Sequence, residues 1–332
     1  MPSVRDEHED FDRPRRRTQP RTKQRPSYDD ADTAFVVTID RGRYTVHLDD
    51  DGRTVTTVKA RQLGRKGVVV GDRVRVVGDT SGDEGTLARI VEVEERTTVL
   101  RRTADDDDPI ERIIVANADQ LMIVAALADP PPRTGLIDRC LVAAFVAGMT
   151  PLVCLTKADL ASADEIVAEL EPLDVQVVVT QRDADPAAVR ELLDGHTTAL
   201  VGHSGVGKST LVNRLVPDAD RVTSHVNEVT GRGRHTSTSA ISLELPAPVF
   251  SHGGRIIDTP GIRSFGLAHV EPDHLIRAFG DLDEVTAGCP RGCTHLPTEP
   301  ECALDVAVAD GRLPEARVTS FRRILGALQQ PW

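Results

Sequence analysis

The sequence predicts a parallel α/β sheet of the phosphate-loop kind, with a small β-barrel ahead of it and a metal-binding, mainly helical module behind it. Three observations predict this. Apolar runs alternate with helical spacers between residues 120 and 258, and a glycine-rich G-x-x-x-x-G-K-S stretch interrupts them at 202–209. Short Val/Thr/Ile-rich runs fill residues 34–103. Three cysteines and a histidine crowd into residues 289–302.

The chain has 332 residues, which suits two domains or three small ones at about 150 residues each. Its formal net charge of −12 argues against a generic phosphate-coating protein but allows a local basic patch. The longest apolar stretch, Leu121 to Ala128, is far short of the ~20 residues that span a bilayer. The opening MPSVRDEHED lacks the apolar segment of a signal peptide. Five cysteines in so long a chain do not make a secreted disulfide scaffold. A cytoplasmic, reducing location with no membrane contact is expected.

Residues 1–33 read as a charged, disordered tail. From Arg13 to Arg25 it carries seven Lys/Arg and no acid, which also suits a basic arm on nucleic acid phosphates. Residues 34–103 contain AFVVTI, YTVHL, TVTTVKA, RVRVVG, LARIVEVEE and TTVL, punctuated by Gly and Asp. Five or six short strands suit a small barrel of the OB type. Aromatics there are limited to Phe35 and Tyr44, so base stacking is not expected. If the barrel binds nucleic acid, Arg41, Arg43, Arg61, Arg65 and Lys66 contact the backbone. The acidic run Asp105–Asp108 with Pro109 reads as a linker. An α/β unit over 104–280 and a C-terminal module over 281–332 complete the expected organisation.

In the α/β unit, QLMIVAAL, PLVCL, VQVVVT, TTALVG and RIID read as strands. LIDRCLVAAFVAG, ADEIVAELEPL, PAAVRELL and KSTLVNRLV read as the intervening helices. Continuous apolar strands separated by helices imply a parallel sheet covered on both faces.

Gly202, His203, Ser204, Gly205, Val206, Gly207, Lys208 and Ser209 form the phosphate loop, with Thr210 following in the same turn. The glycines let backbone N–H groups wrap phosphates, and the helix that the loop opens favours anions at its start. Lys208 suits the β- and γ-phosphates, and Ser209 suits Mg²⁺. Downstream, Asp258-Thr259-Pro260-Gly261 ends an apolar strand as D-x-x-G. Asp258 would hold Mg²⁺ through water, and the Gly261 N–H would meet the γ-phosphate. Between them, Gly231 to Thr238 reads as a switch, with Thr236 and Thr238 as hydroxyl donors to the Mg²⁺ and phosphate region.

Phosphate loops do not select a base. Thr156-Lys157-Ala158-Asp159, just past PLVCL, corresponds to the N-K-x-D tetrad of GTPases. Asp159 would accept the N1–H and N2–H of guanine, and the stem of Lys157 would lie over the ring. Thr156 replaces the usual Asn, which weakens the expected tie between this loop and the phosphate loop. The tetrad precedes the phosphate loop instead of following it, so the expected fold is a circularly permuted α/β P-loop GTPase sheet. The permutation runs the D-x-x-G segment straight into the C-terminal module and offers a route between them.

Cys289, Cys293, His295 and Cys302 supply a Cys₃His set for one structural Zn²⁺. Pro290, Gly292 and Pro297 allow the turns between ligands. Cys140 and Cys154 fall in apolar patterns and read as packing residues. The last helical stretch carries Arg317, Arg322 and Arg323, on a solvated or RNA-facing side.

The permuted order, SGVGKST, GRGRHTST, DTPGIRSFG, the preceding barrel and the following Cys/His cluster together resemble the RsgA family, the ribosome small subunit-dependent GTPases, over about residues 34–330. The resemblance implies GTP hydrolysis stimulated by the small ribosomal subunit, a role in late maturation of that particle, and ribosomal RNA as partner. It also places His235 where the family orients the attacking water, in a chain whose D-x-x-G is followed by Ile262 instead of Gln. Thr180-Gln181 stands where the family carries a Ser-Ala element, and the Cys/His spacing differs slightly. GTP or GDP with Mg²⁺, one Zn²⁺ and a monomeric chain are expected. An ATPase or kinase, or a non-hydrolysing GTP-bound RNA scaffold, are the competing readings.

Overall fold

The computed structural model describes residues 28–64, 67–103, 110–217, 219, 240–262 and 264–328. The first runs fold as expected into β1 (Asp32–Asp40), β2 (Arg43–Leu48), β3 (Thr54–Lys59), β4 (Arg73–Gly78) and β5 (Ala88–Val93). They pair in the order β1-β2-β3-β5-β4 and close through β1–β4, with β3 and β5 parallel. This is an OB-like barrel. Alternation along each strand turns Val36, Val46, Val55, Val74, Val76 and Ile90 inward as its core.

TTVL lies outside the barrel. It forms β6 (Val99–Arg102), which pairs with β7 (Arg112–Ala116) as a separate antiparallel ribbon.

The α/β unit follows the expected order: β8 (Gln120–Ala126), α1 (Thr134–Val146), β9 (Thr150–Thr156), α2 (Asp164–Leu170) and β10 (Gln176–Val179). Then come α3 (Ala187–Leu193), β11 (Thr197–Gly202), α4 (Lys208–Leu215), β12 (Ile241–Glu244) and β13 (Arg255–Asp258). The strand order is β10-β9-β8-β11-β13-β12. All these pairings are parallel except β12 with β13. β8 is buried along its whole length, which explains its unbroken apolar sequence.

β12 was not legible in the sequence. It also pairs with β1 at Thr38 and Ile241, so barrel and α/β sheet are one eleven-stranded sheet. Thr38, Ile241, Asp258 and Leu200 stand in one cross-strand row. At this junction the Arg255 guanidinium lies 4.6 Å from the Phe35 ring centroid and 2.7 Å from the Glu244 carboxylate. The Thr38 hydroxyl donates to the Ala240 carbonyl at 3.2 Å.

The C-terminal module comprises α5 (Pro272–Ile276), α6 (Gly280–Thr286), α7 (Ala303–Ala309) and α8 (Glu315–Gly326). It packs on α1 through Phe145, Phe279 and Phe321, with ring centroids 4.6 and 5.3 Å apart. The arginines of α8 correct the sequence reading. The side chains of Arg317, Arg322 and Arg323 are only 13%, 12% and 28% exposed. Arg317 pairs with Asp281 and Asp174, Arg322 with Asp305, and Arg323 with Glu169. They are partly buried and brace the helix, because Asp281, Asp305 and Glu169 are brought up by other helices that local sequence does not reveal. Among the described residues, no helix is long and apolar enough to cross a membrane.

Candidate nucleotide edge and metal cluster

Parallel strands bring their carboxyl ends to one edge, where open α/β sheets bind ligands. β9, β11 and β13 end there in Thr156–Asp159, Gly202–Ser209 and Asp258–Gly261. Thr156–Asp159 and the phosphate loop, distant in sequence, therefore share an edge, and a side-chain bond ties them. The buried Thr156 hydroxyl donates to the Val206 carbonyl at 2.6 Å and lies 3.3 Å from the Ala125 carbonyl. Thr156 thus makes the tie that its replacement of Asn had put in question.

Two glycines are required by geometry. A Cβ on Gly202 would sit 2.5 Å from the Val124 carbonyl oxygen of the neighbouring strand. Gly207 turns the chain into α4 at φ 93°, in the left-handed region. Lys208, the first residue of α4, is buried, and its ammonium contacts the Asp258 carboxylate and the Thr259 carbonyl. The Thr259 hydroxyl donates to the Leu200 carbonyl at 2.7 Å, and the Ile262 N–H to the Gly202 carbonyl at 3.0 Å. These bonds lock D-x-x-G beside the phosphate loop and bury Ile262. Ser204, Gly205, Ser209, Thr210 and Gly261 are exposed, and the His203 Nδ1 lies 2.8 Å from the Ser204 carbonyl.

Asp159 is exposed on the same edge, and the Lys157 ammonium reaches the Asp129 carbonyl. The Ala158 N–H donates to the Thr180 carbonyl at 3.2 Å, joining the tetrad to the loop after β10. Arg214 of α4 donates to the carbonyls of Gln181 at 3.2 Å, Arg182 at 2.8 Å and Ala184. Nothing in the sequence marked Arg214. His235, Thr236 and Thr238 lie outside the described residues.

A second unmarked arginine links the D-x-x-G segment to the C-terminal module. Arg139 of α1 is 2% exposed and donates to the carbonyls of Phe265 and Ala327, each at 2.7 Å.

The ligand atoms of Cys289, Cys293, His295 and Cys302 all lie within 4.8 Å of one another. The His295 Nδ1 is 3.6, 3.6 and 4.0 Å from the three sulfurs. Tetrahedral Zn²⁺, with bonds of about 2.3 Å to sulfur and 2.05 Å to nitrogen, sets S···N edges of about 3.6 Å. The set fits a closed structural Zn²⁺ site. Burial keeps His295 neutral by lowering its pKa, as a ligand requires. Burial, with the neighbouring thiols adding to it, pushes Cys293 up to about 11, so a bound cation is what would favour its thiolate. The Ala303 N–H donates to the Cys289 sulfur at 3.3 Å, and the Arg322 Nε to the His295 carbonyl at 2.8 Å. Such outer bonds orient ligands. Cys140 and Cys154 are buried outside the cluster, and burial pushes both up to about 12.

A family model described as RsgA GTPase matches residues 93–268. A protein of Paraburkholderia xenovorans named "Small ribosomal subunit biogenesis GTPase RsgA" is 38% identical over 306 residues, covering 89% of this chain and 93% of that one. Its namesake from Chlorobaculum parvum is 35% identical, covering 84% and 91%. Among solved structures, YjeQ from Thermotoga maritima superposes with TM-score 0.65 at 27% identity, covering 90% of this chain and 98% of that one. YloQ, described as a circularly permuted GTPase, gives TM-score 0.62 at 25% identity, covering 90% and 95%. With a permuted sheet, a preceding OB-like barrel and a following Cys₃His cluster, the chain belongs to the RsgA family of circularly permuted, GTP-hydrolysing enzymes.

Proposed function

We propose that this GTPase binds GTP with Mg²⁺ at the shared edge and hydrolyses it on the small ribosomal subunit late in that particle's maturation. Asp159 accepts the guanine N1–H and N2–H, while the Lys157 stem covers the ring. The backbone of residues 202–208 wraps the phosphates. Lys208 takes the β- and γ-oxygens, Ser209 and Asp258 hold Mg²⁺, and Gly261 meets the γ-phosphate. Mg²⁺ held by Ser209 and Asp258 would supply neutralisation of the phosphate charge. Lys208 and Asp258 contact each other, so a polyphosphate entering the loop competes with Asp258 for the ammonium. Thr236 and Thr238 order the switch, and His235 orients water. The burial of Ile262, whose side chain offers no hydrogen bond, favours a water-orienting group from elsewhere.

One observation carries this reading: the Thr156 hydroxyl bonded to the Val206 carbonyl, which ties the base loop to the phosphate loop. The relatives' shared name, small ribosomal subunit biogenesis GTPase, supports the small subunit as the site of action. The barrel over 32–93 and the zinc module over 281–332 grip ribosomal RNA at separate places, so their affinities multiply. Hydrolysis weakens the grip and releases the protein, which acts as a monomer in the cytoplasm.

The test is GTP turnover measured in parallel with small subunits, large subunits and intact ribosomes, together with displacement of labelled GDP by ATP. Stimulation by small subunits and failure of ATP to compete are expected. Equal turnover in all three mixtures removes the small subunit from the reading. His235→Ala should keep GTP binding and lose the stimulated turnover.

A further inference from the structure

We infer that Arg214 is a positioning residue for guanine selectivity: from the phosphate-loop helix it fixes the loop over 180–184 as a wall of the base site. The inference rests on the proposed reading of guanine by Asp159.

β9 and β10 are parallel neighbours, with Leu155 opposite Val179, so the segments that follow them leave the sheet side by side. The Ala158 N–H to Thr180 carbonyl bond makes the two loops one surface. A base held by Asp159 is therefore bordered by residues 180–184. This is the place where Thr180-Gln181 departs from the family's Ser-Ala, so side-chain identity alone does not define the wall.

What defines it is the clamp. The Arg214 Nη1 donates to the carbonyls of Gln181 and Arg182, and its Nη2 to that of Ala184. Three carbonyls of one short turn converge on a single guanidinium. The neighbouring acid, Asp185, is held by Arg190 at 2.7 Å, so it does not draw Arg214 away. A guanidinium suits this task because its rigid planar fork points several donors in fixed directions, whereas an ammonium is a point charge on a flexible stem. Arg214 also sits on α4, whose first residue is Lys208. One short rigid element therefore sets both the phosphate cradle and the base wall, which fixes the span between them. The selective part of binding depends on that span, since a carboxylate rejects a base only when the base cannot shift to avoid it.

The experiment uses the full-length chain with Arg214→Met, which keeps the aliphatic stem, and Arg214→Lys, which keeps the charge. Affinities for GDP and ADP are measured by displacement of a fluorescent nucleotide, and kcat and KM by GTP turnover. ADP engages the phosphate loop without guanine's donors. Arg214→Met should weaken GDP about 10- to 100-fold, leave ADP nearly unchanged and so collapse the GDP-over-ADP ratio. KM should rise while kcat at saturation is kept, and Arg214→Lys should recover part of the ratio. Should Arg214→Met fold poorly in urea melts, the ratio is read from Arg214→Lys, which should lie between wild type and complete loss. An unchanged ratio in a folded variant overturns the inference. So does equal weakening of GDP and ADP, which would place the effect on the phosphate loop. Asp159→Asn separates the two readings, because it should move preference from GDP toward xanthosine diphosphate. If it does and the Arg214 variants keep their ratio, only the role of Arg214 fails. If it does not, the base lies elsewhere and both readings fail.

Discussion

Replacing Thr156 by valine removes one oxygen and almost no volume, and it should cut the tie between two loops that meet only through folding. The hydroxyl donates to the Val206 carbonyl at 2.6 Å from a position that is 6% exposed. Valine leaves that carbonyl without its donor in a place where water has poor access. An orphaned buried acceptor costs about 1–3 kcal/mol, and the added methyl contact offsets a part of it. A net loss of about 1–2 kcal/mol in folding stability is expected, and the part that the nucleotide must restore by realigning the loops weakens binding, to a limit of roughly 30-fold at 1.4 kcal/mol per decade. Thr156→Val should therefore unfold at lower urea and bind GDP more weakly within that limit, whereas Thr156→Ser should stay near wild type. Equilibrium binding of fluorescent GDP and urea titration provide the two readouts. GDP affinity within about twofold of wild type and an unfolding free energy unchanged to about 0.3 kcal/mol would refute the reasoning.

Three further outcomes follow from the geometry. Chelation of Zn²⁺ should expose the thiols of Cys289, Cys293 and Cys302 to alkylation, while Cys140 and Cys154, whose pKa burial pushes up to about 12, stay unreactive until global unfolding. Early labelling of all five would argue against a separate metal-dependent module. Glu244 is held down to about 2 by a hydrogen bond from His47 and by the charge of Arg255, against a partial cost of burial. Its folded pKa lies below the unfolded value, so its contribution is complete above about pH 4.5 and fades as pH falls toward 2. Glu244→Gln should flatten that part of the stability profile, and an unaltered acid limb would remove Glu244 from the junction's energetics. Arg139→Met should orphan the Phe265 and Ala327 carbonyls and cost about 2–4 kcal/mol in urea unfolding, with a change below about 0.5 kcal/mol counting against the bridge.

The parts legible in the sequence are those in which one short segment carries its own chemistry. The glycines and lysine of 202–209, the D-x-x-G of 258–261 and the Cys₃His set each need few residues, and spacing alone exposes them. Their convergence on one edge followed from parallel strands. The parts that stayed hidden depend on pairs far apart in the chain. β12 has four residues, Ile241–Glu244, and becomes a strand because β13 and β1 flank it. Thr156 looked like a weakened asparagine, since nothing local shows that its hydroxyl reaches Val206. Arg139 and Arg214 spend their donors on backbone carbonyls, which leave no trace in residue type. Arg317 and Arg322 looked free because Asp281 and Asp305 belong to other helices.

The Thr38–Ile241 pairing has a mechanical consequence. A strand can change partner only in steps that preserve its inward and outward faces, and two residues amount to about 7 Å. The barrel is therefore indexed against the sheet like a tooth in a rack and cannot creep along β12. Force applied to the barrel leaves the junction seated or unseats it in one event. Because the seat shares its row with Asp258, the detent lies one strand away from the lysine-bound carboxylate.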